Sequence, residues 1–180
     1  MGQYYIPCIV SYEDGKIKVL ASMSPHQYLN GAKLMEHSYI GNNFVNAFET
    51  LLIPGGKYHK SMVIWAGDYA DVEEGVTLID EEDGKSYNPN VYSMSFGTEI
   101  RPSNMNLDNY SYLVNHTQKS FVDKRKFTKY HPLPLLTAEG NGGGGGNYKG
   151  NSMLVGTWSR NLISLEQDVP EDYSELICDF

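Results

Sequence analysis

The stretch Gln3–Ser22, QYYIPCIVSYEDGKIKVLAS, decides the fold class. Gln3 to Ser11 is rich in Tyr, Ile and Val, residue types that suit a pleated, half-buried surface. Lys16 to Ser22 alternates polar and apolar side chains, the period of a strand with one face inward. Between them Glu13-Asp14-Gly15 is a turn signal, so the two runs predict an antiparallel hairpin. Pro7 has no N–H to give to a ladder, which places the first strand on an edge or at a bulge.

Further along the chain, Lys33 to Tyr39 reads as a short strand or the entry to a helix. One helix is clear: with Asn42 or Asn43 as N-cap, Phe44, Phe48, Leu51 and Leu52 fall on one face, and Pro54-Gly55-Gly56 ends it. Ser61 to Ala66 is an apolar run of strand length. Asp68 to Asp83 is acidic and loop-like, with a short strand at Val76 to Ile79. Val91 to Phe96 predicts another strand. Tyr112 to Phe127 predicts a hairpin with arms YLVNH and KSFVD. His131-Pro132-Leu133-Pro134 predicts extended chain, because each proline disfavours helix in its predecessor. Met153 to Glu166 predicts one or two strands kinked at Gly156, and Tyr173 to Ile177 a helical tail. Seven to nine strands and one principal helix, without regular alternation, give a single α+β domain over residues 1–180 with a mainly antiparallel sheet.

Composition excludes several classes. Hydrophobic residues make up 41% and charged residues 20% of 180 residues, the profile of an ordinary globular chain. A formal net charge of −8 argues against general nucleic-acid binding, which needs a clustered positive surface. Lys119, Lys124, Arg125, Lys126 and Lys129 form the one basic patch, read as a solvated hairpin or a meeting point for an anionic partner. Two cysteines, Cys8 and Cys178, are too few for a secreted disulfide framework and are expected to be reduced. MGQYYIPCIV has neither the basic start nor the long apolar core of a signal peptide, and Gly2 lacks the myristoylation context. No apolar run has the length of a membrane span, so a cytoplasmic protein is expected.

Chemistry-bearing residues fall into three groups. GDYAD ends an apolar run and sets Asp68 and Asp71 at the mouth of a sheet, where carboxylate oxygens suit a hard metal or simply cap backbone N–H groups. Glu36-His37 is an acid–base pair by type, but strand neighbours face opposite ways. Together these four residues define a hydrolase alternative. The third group surrounds the run Gly142–Gly146. It satisfies G-x-G-x-x-G only formally, since strand rather than helix is expected after it. Residues without Cβ atoms leave backbone N–H groups exposed, and these can line an anion site or can simply form a loop. Gly142, Gly143, Gly144, Asn147, Tyr148 and Lys149 are the candidates there, with Trp158 for ring stacking and Arg160 for negative charge. No metal or cofactor is expected.

MGQYY, GAKLMEHSYIGN, VIWAGDYAD, YLVNHTQKSFVD, HPLPLLTAEGNGGGGGNYKG and VGTWSRNLISLE, taken in order, resemble a group of bacterial and bacteriophage proteins without an established activity. The resemblance covers more than half the chain and transfers no catalytic residue. It implies a protein of the host-cell cytoplasm, and by context a counter-defence role in which a nucleotide immune signal is sequestered. The leading expectation is therefore a non-catalytic binding protein for a small anionic, nucleotide-derived ligand, in a possible homo-oligomer. An inhibitor gripping a host defence protein is the other binding alternative.

Overall fold

The computed structural model describes residues 3–141 and 146–180. Strand β1 (Tyr5–Glu13) pairs antiparallel with β2 (Lys16–Ser22) around Asp14-Gly15, as the hairpin signal requires. On its other side β1 pairs antiparallel with β3 (Ser61–Gly67). The sheet continues through β9 (Asn161–Glu166), β6 (Tyr112–Asn115) and β7 (Ser120–Asp123) to a short parallel strand, β10 (Ser174–Glu175). A two-residue strand, β8 (Ala138–Glu139), pairs with β3 in parallel, and β4 (Leu78–Ile79) and β5 (Ser86–Tyr87) form a separate ribbon. The result is an α+β fold around an eight-stranded, mainly antiparallel sheet.

Pro7 fits an interior strand because the β2 ladder stops beside it. The last pair is Cys8 with Ser22, and the Pro7 carbonyl accepts from Met23 N–H just beyond. N–H and C=O of one strand residue point the same way, so the missing donor faces the end of a ladder.

The alternation of β1 and β3 serves two cores. Tyr5, Ile9, Val63 and Trp65 face the larger one, while Ile6, Cys8, Val10, Ile64 and Ala66 face the smaller. The larger core is closed by α1 (Leu34–His37), α2 (Asn43–Glu49) and α4 (Pro132–Thr137), and the smaller by α3 (Val91–Met94). Asn42 caps α2 through Oδ1, which accepts from Phe44 N–H at 2.9 Å and Val45 N–H at 3.2 Å. Phe44 and Phe48 then pack edge-on against Trp65, with centroids 6.0 and 5.2 Å away.

Three expectations are corrected. Val91–Met94 is helix, because Asn90 caps it by accepting from Ser93 N–H at 2.9 Å. His131 is extended as its proline demands, but Pro132 and Pro134 then lie in the first turn of α4, where no intrahelical donor is needed. The tail pairs as a strand at Ser174–Glu175 instead of forming a helix, since Ser174 and Leu176 donate to backbone carbonyls of Lys119 and Phe121. No helix among the described residues is long and apolar enough to cross a membrane. Both cysteines are free thiols, Cys8 buried and Cys178 half-buried.

Candidate functional site

The four residues of the hydrolase alternative do not converge. Asp68 Oδ1 accepts from Tyr4 N–H at 3.0 Å, and Asp71 is exposed. Glu36 caps α1 by accepting from Lys33 N–H at 2.9 Å. His37 turns into the core: Nδ1–H donates to Gly31 C=O at 3.0 Å, and Nε2 accepts from the Trp65 indole at 2.9 Å. Burial holds its pKa down at about 4, against smaller opposing effects of the Gly31 carbonyl and Glu36. Among the described residues no group of three or more His, Cys, Asp or Glu could hold a metal ion.

Gly142, Gly143 and Gly144 lie outside the described residues. Both flanks of the run are held. Asn141 N–H donates to Gln3 Oε1, and Gly146 presses on the Tyr5 ring with φ +58°. A Cβ there would sit 2.7 Å from a ring carbon, so glycine is required. Asn147 accepts from Met35 N–H at 3.0 Å, Tyr148 packs between Tyr130 and Phe180, and Lys149 is exposed. Two candidates are corrected. Trp158 is 0% exposed within the larger core and has no face to offer a ligand. Arg160 is clamped by Glu139 and Glu73 and also donates to Tyr12, so its charge is already compensated. Burial acts to raise the Glu139 carboxyl, but hydrogen bonds from Arg160 and Ser159 outweigh it and hold the pKa below its ordinary value.

Four of the five residues of the basic patch are engaged internally, and Lys119 is exposed. Lys124 binds Glu49, Arg125 binds Asp123, and Lys126 binds Glu175, while Lys129 lies 4.6 Å from the Tyr130 ring centre. Glu49 is a feature that the sequence reading missed. It is 4% exposed, and its Oε1 accepts from Lys124 Nζ at 2.8 Å and His131 Nε2 at 3.0 Å. Burial would raise its pKa, yet His131 and Lys124 overcome that and hold it at about 2. His131 Nδ1 accepts from Leu133 N–H, which fixes the proton on Nε2. A polar string on the other face joins Tyr173, His116, Ser164, Glu166 and His59. Ser164 is 0% exposed, so no substrate reaches that hydroxyl.

One arginine stands apart. Of three arginines, Arg101 alone has no carboxylate partner among the described residues. Its guanidinium lies over the Tyr28 ring, 6.0 Å from the centroid, beside a hollow of about 490 Å³. Gln27, Tyr28, Leu29, Asn43, Ser103 and Asn104 complete most of the lining, which contains no acidic side chain. The base of the hollow is hydrogen-bonded. Tyr28 OH donates to Pro102 C=O at 2.6 Å, and an amide network links Asn30, Asn42 and Asn43 to the Tyr28 carbonyl. The side chains of Gln27, Ser103 and Asn104 have no hydrogen-bond partner among the described residues. Leu29 stands at the rim, 98% exposed, with φ 58° and ψ 34°. An isolated arginine in an acidic chain carries little motif signal, so sequence reading passed over it.

Compared with known proteins, the chain matches no family model, and no curated protein or solved structure matches it significantly.

Proposed function

We propose that this is a non-catalytic binding protein for a small anionic, nucleotide-like ligand, held in the Arg101 hollow rather than on the glycine run. The observation that carries this reading is an arginine without a carboxylate partner, in a net −8 chain, facing a carboxylate-free hollow. Guanidinium groups bind phosphate oxygens through charge-assisted, often paired hydrogen bonds. The amides of Gln27 and Asn104 and the hydroxyl of Ser103 offer further donors. Leu29 supplies the apolar surface that a base or sugar would cover. The lining holds no His, Cys, Lys, Asp or Glu side chain to act as a general acid or base, which favours binding over acid–base chemistry. The resemblance to bacteriophage proteins suggests one setting, the sequestration of a host nucleotide signal.

The test is a thermal-shift panel of nucleotides and cyclic nucleotides against wild type and Arg101→Ala. A ligand that binds only the folded chain raises the midpoint. Arg101→Ala is expected to weaken that ligand by about 10- to 100-fold, the worth of one charge-assisted hydrogen bond or a pair of them. A panel without a hit, or a hit that Arg101→Ala leaves unchanged, contradicts the proposal.

A further inference from the structure

We infer that the cleft floored by Glu49 is a second binding site, for a small neutral molecule bearing a planar amide. The cleft holds about 290 Å³, with Ile40, Leu107 and Tyr110 as apolar walls. Both protein donors to Glu49, from Lys124 and His131, end on Oε1. Oε2 has no protein donor among the described residues. Among those residues, Ser120 Oγ is the one side-chain polar atom that is both sealed from solvent and unpartnered. Oε2 therefore reaches the cleft, although Glu49 is otherwise buried. An acceptor that opens into the cleft without a protein donor is free to take a ligand N–H.

The choice of an amide follows from the charges. Lys124 cancels Glu49 at 2.8 Å and lines the same cleft with Arg125, which Asp123 holds, so a full cation meets an ammonium and a guanidinium while an anion meets Glu49 and Asp108. A neutral amide avoids both penalties: its N–H faces Oε2 and its carbonyl faces the remaining Lys124 protons. The Asn46 side-chain NH2 has no partner among the described residues and adds a donor on the same wall. This site is distinct from the Arg101 hollow and shares no lining residue with it.

The experiment is an NMR titration of the full chain with three probes of one size: nicotinamide, nicotinate and benzylamine. Nicotinamide is expected to bind, with the other two weaker by about tenfold or more, because each brings an opposed charge. Glu49→Gln should abolish nicotinamide binding while Arg101→Ala leaves it intact. Should Glu49→Gln fail to fold, Tyr110→Ala on the wall is expected to weaken nicotinamide. No binding by nicotinamide, equal or tighter binding by either charged probe, or indifference to both cleft variants overturns the inference.

Discussion

Leu29 is unfavourable twice over. Its side chain is 98% exposed, and its φ of 58° lies in the left-handed region that a branched side chain disfavours. Asn enters that region readily, so Leu29→Asn is expected to stabilise the protein by about 1 kcal/mol, raising the midpoint of urea unfolding. An unchanged or lower midpoint would show that Leu29 makes compensating contacts. The same scale explains what could be read in advance. Asn42 was legible because its chemistry is local: a side-chain oxygen two residues before the N–H it accepts. Arg160 was not legible, because its partners Glu73 and Glu139 are 87 and 21 residues away. Removing Arg160 leaves two partly buried carboxylates facing each other. Arg160→Ala is expected to cost about 3 kcal/mol in urea unfolding, and Arg160→Lys to recover only part, since an ammonium cannot replace the fork. A loss below about 1 kcal/mol would mean the clamp behaves as a surface pair.

Elements were recovered where periodicity and capping agree, and missed where one local signal was read alone. The β1–β2 and β6–β7 hairpins satisfy both pattern and turn chemistry, while α2 keeps its expected cap and ends at Glu49, before Leu51, Leu52 and the expected stop at Pro54. At α4 the two prolines were read as helix breakers, but their position in the first turn removes the objection. At α3 the β-like run VYSM was overruled by the Asn90 cap, whose NH2 also donates to the carbonyls of Asp68 and Ala70. Asn90 thereby fastens α3 to the segment that follows β3. Asn90→Ala should cost about 2 kcal/mol and speed amide exchange across 91–95, because a cap and two buried acceptors are lost together. Exchange accelerated uniformly over the sheet instead would place Asn90 in the global core.

For the whole molecule, two buried ionisable groups give the acid response two windows. His37 has a folded pKa of about 4, below its ordinary 6.5. Between those values the unfolded chain takes a proton that the folded one refuses, so stability falls as pH drops from about 6.5 to about 4. Glu49 has its folded pKa at about 2 against an ordinary 4.5, so its contribution is intact above about 4.5 and is lost towards pH 2. Each window is worth about 3 kcal/mol at most, at 1.36 kcal/mol per pKa unit. Urea midpoints measured from pH 7 to pH 2 should fall in both ranges, with the lower fall smaller in Glu49→Gln but not abolished, because Glu139 is also held below its ordinary value. A single fall confined below pH 4 would contradict the burial of a neutral His37.

The proposed anion site is tested at this scale. The sequence points at the glycine run. The geometry favours the hollow beside Arg101, because Arg160 is already neutralised and Trp158 is enclosed. The most direct measurement is a backbone-amide NMR titration with the tightest nucleotide from the thermal-shift panel. Shifts clustered at Gln27, Leu29, Arg101, Ser103 and Asn104 are the predicted result. Shifts centred on Gly140 to Lys149, with the Arg101 region silent, would contradict it.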